Sequence, residues 1–346
     1  MNSVALILAF LTTGASLLAL RPVAVKVGLV DIPGGRKTHV GHTPLVGGLG
    51  IYLGLLVLCL LAPGVLPQYA SLLSLSALIL FIGLVDDAKD LSWATRMTGH
   101  SLVALVMAVV AGVQLESLGA LFTDSPILLG NLAIPFTVFA TVGVINAINM
   151  SDGIDGLSGG LMVVALAFMA LLALDAGQIG SAAFMAGLIC AILGFLSLNF
   201  RRPWNRKALV YLGDAGSTML GFILAWLLID STQGESAMIP PVFVLWFLAI
   251  PLFDTVNLLI KRPLAGKSPF TPGNDHLHHS LLARGYSVER TVVILSTAAL
   301  VMGGIGLAGF FWGIREAVMF QIFLTLFGLY FIFSDSLRPA ESRLSL

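Results

Sequence analysis

Residues 158–198 read SGGLMVVALAFMALLAL, then DAGQ, then IGSAAFMAGLICAILGFLSL. Each apolar run is close to the length of about 20 residues that a helix needs to cross the hydrocarbon of a bilayer. Asp175, in the short break, is the sole charged residue of the stretch. Similar runs lie near 2–20, 45–62, 70–85, 99–114, 129–148, 209–229, 239–260, 291–311 and 316–334, which makes eleven predicted spans. Composition agrees. The chain is 58% hydrophobic and 10% charged, with a mean hydropathy of +0.98, whereas soluble domains are about a quarter charged. A net charge of zero marks no nucleic-acid binder. Cys59 and Cys190 both sit in apolar runs, which excludes a disulfide framework or a cysteine-based metal site. With no repeat, low-complexity tract or linker to divide it, the chain reads as one all-α, multi-span membrane domain over residues 1–346.

Charge gives these spans a direction. No Lys or Arg precedes the first span, and Arg21 follows it, which is the wrong flank for a cleaved signal peptide and predicts an N-terminus outside the cytoplasm. Alternating the loops from there puts 17 of the 18 basic residues on one side, with Arg315 alone on the other. That side is read as cytoplasmic. All six histidines fall on or at the same face, as do Asp31, Asp86, Asp87, Asp90, Asp152, Asp155, Asp214 and Asp275, with Asp254 near the inner end of its span. A pump or channel places ionisable groups at mid-depth along a pathway. Here they gather at one interface, which predicts chemistry on the cytoplasmic surface.

Five stretches on that face carry the chemistry. Asp86-Asp87-Ala-Lys-Asp90 follows the third span. On a continuing helix Asp87 and Asp90, or Asp86 and Asp90, would share a face. Carboxylates so close repel unless a cation neutralises them, and Mg²⁺ commonly bridges one or two carboxylates to substrate phosphates. The plainer reading is a solvated acidic helix end with Lys89 as counter-ion. Asn146-Ala-Ile-Asn149-Met-Ser-Asp152-Gly-Ile-Asp155-Gly joins spans five and six. A capped turn would explain one acid and its glycine, but two amides and two acids exceed what one cap needs. Tyr211-Leu-Gly-Asp214-Ala-Gly-Ser217 opens the eighth span, where Asp214 is either an N-cap or an acid with room for an ion to approach.

The fourth stretch is Asp275-His276-Leu-His278-His279, in the long loop 261–290 with Arg262, Lys267 and Arg284. Three histidines could ligate zinc, but no fourth ligand stands at a finger-like spacing. Pyrophosphate binding by partly protonated imidazoles is the better reading. The fifth, residues 31–48 with Arg36, Lys37, His39 and His42, is glycine-rich and basic without being a P-loop. Taken alone it is a loop made basic by topology.

Together, in this order, the five stretches resemble the polyprenyl-phosphate N-acetylhexosamine-1-phosphate transferase family. The resemblance runs from the loop at 31–48 to the loop at 261–290. It implies that Asp86 and Asp87 stand at the reaction centre, one of them as base or nucleophile, and that Asp90 completes their motif. It further implies that Asp214 ligates Mg²⁺ (or Mn²⁺ in its place), with Asn149 as a second ligand. Asp152 and Asp155 then belong to the nucleotide-sugar site, and His276, His278 and His279 contact pyrophosphate or sugar, supported by Arg262 and Lys37. His-Leu-His-His is similar to the element of the UDP-GlcNAc branch and unlike the three consecutive histidines of the pentapeptide branch. The expected partners are a UDP-sugar donor, undecaprenyl phosphate as acceptor and the lipid bilayer, in a bacterial inner membrane; a homo-oligomer is compatible with this and no nucleic acid is expected. In the implied reaction a lipid phosphate oxygen attacks the β-phosphorus and UMP leaves. The second pKa of a phosphate monoester is already about 6, so a strong base is unnecessary and a single displacement is preferred. Two rivals fit less well. An intramembrane prenyltransferase would carry two matching Asp-rich motifs, and a secondary transporter would carry paired mid-span interruptions.

Overall fold

The computed structural model describes residues 3–31, 43–62, 64–201, 207–235, 237–268 and 273–337. Among them the chain forms α1 (Ser3–Val27), a two-residue β1 (Val30–Asp31) paired antiparallel with β2 (Thr43–Pro44), α2 (Gly47–Leu61), α3 (Val65–Lys89) and α4 (Trp93–Val109). There follow α5 (Ala133–Met150), α6 (Leu157–Asp175), α7 (Ile179–Asn199), α8 (Gly213–Asp230), α9 (Pro241–Phe247), α10 (Ala249–Leu264), α11 (Leu277–Ala283), α12 (Val288–Phe311) and α13 (Glu316–Phe333). Among the described residues, eight helices are long and apolar enough to cross a membrane, nine if α9 and α10 count as one broken span. Each of the eleven predicted runs overlaps a helix, but the count of eleven spans is not reached: α2 has 15 residues, and α4, which carries Arg96 and His100, has 17 and ends at Val109, short of the predicted 114.

The ninth predicted span is not straight. α9 and α10 meet at 87°. Leu248 ends one helix and opens the other, and Pro251, lacking an N–H, stands at the start of α10, where a helix needs none. The bend carries Asp254, Lys261 and Arg262 toward the histidine loop.

α8 is the centre of the bundle. It is apolar around its whole circumference, and every residue from Gly213 to Ile229 is buried except Asp214. A helix buried on all sides must let its neighbours come close, and glycines permit it. A Cβ at Gly83 of α3 would collide with the Ala215 backbone, and one at Gly48 of α2 would lie 2.6 Å from Gly216 Cα. On the third side, a Cβ at Gly221 would lie 2.7 Å from Ile145 Cα of α5. α1 and α13, at the rim, keep long exposed apolar faces that include Ile7, Leu11, Leu18, Leu329 and Ile332, which suits contact with lipid.

A matched pair of substitutions measures the importance of this close approach. Gly83→Ala should cost about 1–3 kcal/mol through overpacking against fixed backbone, seen as a clear fall in the thermal midpoint of the detergent-solubilised protein. Gly304→Ala, with nothing within 4 Å of the new methyl, should leave the midpoint unchanged or raised.

Candidate active site

Each predicted acidic stretch ends or begins a helix at the same end of the bundle, and α8 organises them. Its first turn has no cap of its own; Leu212 stands at the N-cap without a side-chain bond. The cap comes from α3. Asp87 accepts the backbone N–H of Asp214 at 2.8 Å through Oδ1 and that of Ala215 at 3.1 Å through Oδ2. The neighbouring Gly213 has φ +75°, and a Cβ there would lie 2.6 Å from Asp87 Oδ2, so the position suits glycine on both counts. A carboxylate at the positive end of a helix that donates two N–H bonds to it is stabilised by both effects.

Asp86 is tied differently. It is buried, accepting the Leu91 N–H at 2.8 Å and an Arg96 Nη1–H at 2.9 Å. α3 stops at Lys89, and Asp90 adopts φ 52°, its N–H returning to the Asp86 carbonyl. The helix therefore does not continue, and Asp90 turns to the exposed side of the junction instead of sharing a face with Asp86. Neither carboxylate of the Asp86–Asp87 pair is loose; each has both oxygens engaged.

Asp214 is the open one. Its side chain is 36% exposed within an otherwise buried helix. Asn149 Nδ2 donates to its Oδ1 at 2.7 Å and to Ser217 Oγ at 2.9 Å. Arg96 Nη1, between Asp86 and Asp214, lies 3.7 Å from Asp214 Oδ2. The contacts of Asn149 run through its nitrogen, which leaves the expected ligand role to its carbonyl oxygen.

The turn 151–156 brings the next acids. Asp155 does not cap α6; Gly156, at φ 87°, holds that place. Asp155 instead pairs with Arg201 Nε at 2.5 Å. Asn199 pins the turn, accepting the Gly156 N–H at 2.7 Å and donating to the Val210 carbonyl at 2.9 Å. Burial lifts the pKa of Asp152 well above the usual carboxylate range, and the charges of Asp214, Asp155 and Asp87 lift it further. Acids from α3, the α5–α6 turn and α8 thus share one field. Hard oxygen donors and excess negative charge suit a Mg²⁺ held by one or two carboxylates with water and substrate phosphate completing its shell. Among the described residues no three His, Cys, Asp or Glu side chains form a ready-made metal cage.

The histidine loop docks on the same turn. His278 is buried, and a Cβ at Gly153 would collide with its Nε2. Burial, together with His279 and His276, pushes the His278 pKa well below its ordinary value, so the ring is neutral near pH 7. His276 stacks on His278 at 5.5 Å between centroids and 10° between planes, and His279 lies 4.2 Å from His278. Arg262 is engaged in a two-point bond to Asp275, at 3.0 and 2.6 Å. Burial raises the Asp275 pKa, but the guanidinium outweighs it and the net shift is downward. Lys37 lies outside the described residues. The ends of its loop are held by β1 and β2, and Tyr211 donates its N–H to the Pro44 carbonyl at 2.8 Å, beside the start of α8.

Sequence reasoning missed Arg96, Asn199 and Arg201 as members of this cluster. Arg96 stands ahead of the predicted span at 99–114 and reads there as one more basic loop residue; only the observed start of α4 at Trp93 puts it in the first turn of a helix, beside Asp86.

Residues 69–232 match the sequence profile described as Glycosyl transferase family 4. A protein of Salmonella typhi named undecaprenyl-phosphate alpha-N-acetylglucosaminyl 1-phosphate transferase is 39% identical over 94% of this chain and 89% of its own length. Relatives of the same name from Yersinia pestis and Haemophilus influenzae are 39% and 38% identical, over 95% and 93% of this chain and 90% of their own lengths. The chain belongs to glycosyl transferase family 4. This family 4 member is a multi-pass membrane protein, and the profile covers the segments that supply Asp86, Asp87, Asn149, Asp152, Asp155 and Asp214.

The contact between Gly153 and His278 gives a steric test of the docked loop. Gly153→Ala should lower the thermal midpoint by several degrees. Adding His278→Ala should restore most of the loss, because the colliding ring is gone; equal midpoints for Gly153→Ala and the parent protein would undock the loop from the turn.

Proposed function

We propose that this chain transfers N-acetylglucosamine 1-phosphate from UDP-GlcNAc to undecaprenyl phosphate and releases UMP, as the initiating step of a cell-surface polysaccharide. The observation that carries the reading is near-full-length similarity to relatives with that printed name. The docking of the histidine loop on the turn that bears Asp152 and Asp155 adds to it. Cytoplasmic placement of the site, in a bacterial inner membrane, rests on the segregation of 17 of the 18 basic residues to that side.

Asp214, with Asp152 beside it, is the acid best placed to hold Mg²⁺, and Asn149 orients it. When bound, Mg²⁺ supplies positive charge to offset the charge that develops on the pyrophosphate. The chain does the rest by positioning. Asp86 and Arg96 together fix the α3–α4 corner, and Arg96 presents its guanidinium toward Asp214. Asp87 holds the N-terminus of α8 and so the direction of Asp214. His276, His278 and His279 pack together, with His278 seated against Gly153 of the 151–156 turn, where a nucleotide sugar is expected.

The lipid phosphate oxygen forms the new P–O bond at the β-phosphorus, and the bond to the α-phosphate oxygen breaks to free UMP. Full engagement of Asp86 and Asp87 favours this direct attack over a covalent aspartyl intermediate, since a nucleophilic carboxylate needs an uncommitted oxygen. An active site built on helix ends suits an acceptor whose phosphate lies at the interface while its tail stays in lipid.

UMP release by purified protein in detergent, with undecaprenyl phosphate, Mg²⁺ and a panel of UDP-sugars, tests the reading. UMP is expected with UDP-GlcNAc and to depend on lipid and metal. A different productive sugar would correct the donor, and no UMP from folded protein with any donor would refute the reaction. Chelation by EDTA should abolish turnover, with recovery on adding Mg²⁺. Asp214→Asn should cut kcat by about 100-fold or more, the scale of losing a principal electrostatic group, and weaken the Mg²⁺ dependence; normal turnover would remove Asp214 from the metal site.

A further inference from the structure

Asp254 lies on α10, in the second turn after the 87° bend, and is buried. Its carboxylate accepts from three directions. Oδ2 is 2.8 Å from His276 Nδ1. Oδ1 accepts the Leu277 backbone N–H at 3.0 Å and the Tyr330 hydroxyl at 3.2 Å. His276 stands at the N-cap of α11 and makes no side-chain cap of its own, so Asp254 both caps α11 and grips the ring that opens it.

An ionised carboxylate can only accept, so the short contact to Nδ1 requires a proton on that nitrogen and leaves Nε2 as the ring atom offered elsewhere. A histidine whose second nitrogen is held by a carboxylate has both its tautomer and its plane set, as in the outer shells of many functional sites. The carboxylate is itself held. Phe253 stacks on Tyr330 at 6.0 Å. Just beyond Tyr330, Ser334 hydrogen-bonds Asn257 at 3.2 Å, and Lys261 reaches Ser334 and Asp335, each at 2.7 Å. Arg284 at the end of α11 donates to the Ser336 carbonyl. The inner end of α13 is thus fastened to α10 and α11 on both sides of Asp254. From the ring of His276 the order passes by stacking to His278 and then to Gly153, between Asp152 and Asp155.

We infer that Asp254 is a positioning residue that fixes His276 as the Nδ1-protonated tautomer and aims its Nε2 at the nucleotide-sugar site. Its effect on turnover rests on the function proposed above; its effect on the ring does not. Asp254→Asn separates a cap from a tautomer selector. An Asn oxygen caps a helix as well as a carboxylate does and still accepts from Leu277 and Tyr330. Its NH₂ group, however, then faces His276 Nδ1 as a donor and forces the opposite tautomer.

Two measurements on the full-length protein in detergent test this. In the first, ring-¹⁵N-histidine NMR should show an Nδ1-bound proton resonance that is lost in His276→Ala and also in Asp254→Asn. A spectrum unchanged by Asp254→Asn overturns the inference whether or not the protein turns over. In the second, Asp254→Asn should lower kcat/KM for the UDP-sugar by about 10- to 100-fold, as removal of such a partner does, with an unchanged thermal midpoint. In a His276→Ala background the same change should matter less than about twofold, because the effect acts through the ring. Wild-type turnover in Asp254→Asn, or an equal loss in both backgrounds, overturns the positioning role. Failure of the parent protein to release UMP from any donor would instead defeat the proposed reaction, while the spectrum still decides the tautomer.

Discussion

The bond pair from Asp87 to the backbone of Asp214 and Ala215 holds the arrangement together, because α8 begins where no water can reach most of it. The first N–H groups of any helix lack partners within it, and burying them unpaired costs more than a surface helix would bear. α8 has no local residue that does this. A carboxylate from α3, far away in the chain, supplies the acceptors, and the glycine contacts at Gly83 and Gly48 allow the backbones to come within its reach. Once that junction is set, Asp214 has one direction to face, and Asn149 and Arg96 meet it there.

The acids of the site then divide by what their oxygens already do. Asp86 answers Arg96 and Leu91, Asp155 answers Arg201, and Asp254 answers His276, Leu277 and Tyr330. These build the frame. Asp214 stays partly open, and Asp152 sits in a field of like charge that burial makes stronger. In the proposed reaction a cation and phosphates would meet a few uncommitted groups while many committed ones keep the geometry rigid, which is how preorganised electrostatic sites avoid reorganisation at the moment of reaction.

The bend between α9 and α10 is the second organising feature. A straight ninth span would have left Asp254 in apolar surroundings and Arg262 in a solvated loop. The turn at Leu248 instead lays α10 against the histidine loop and the end of α13, so that Arg262 grips Asp275 and Asp254 grips His276. Asp254 reads in the sequence as an acid near a span end and Arg262 as a support for the histidines; in the structure each clamps a residue of the histidine loop, Asp254 holding His276 and Arg262 holding Asp275.

Amino-acid order alone was enough for the membrane-spanning helical class, for the gathering of ionisable groups at one face and for most of the residues that converge there. These follow from run length, charge segregation and local motif, which are properties of neighbours in the chain. It could not separate Asp87 as a cap for α8 from Asp214 as an open acid, nor stop α3 at Lys89 with Asp90 turned away, nor find Asn199, Arg201 and Asp254 as partners of the turn and the loop. Each of those depends on groups separated by tens of residues or more, or, at Asp90, on where a helix ends. Which oxygen is already satisfied is a question of packing between helices, and that is decided only when α3, α5, α8 and α10 are brought together.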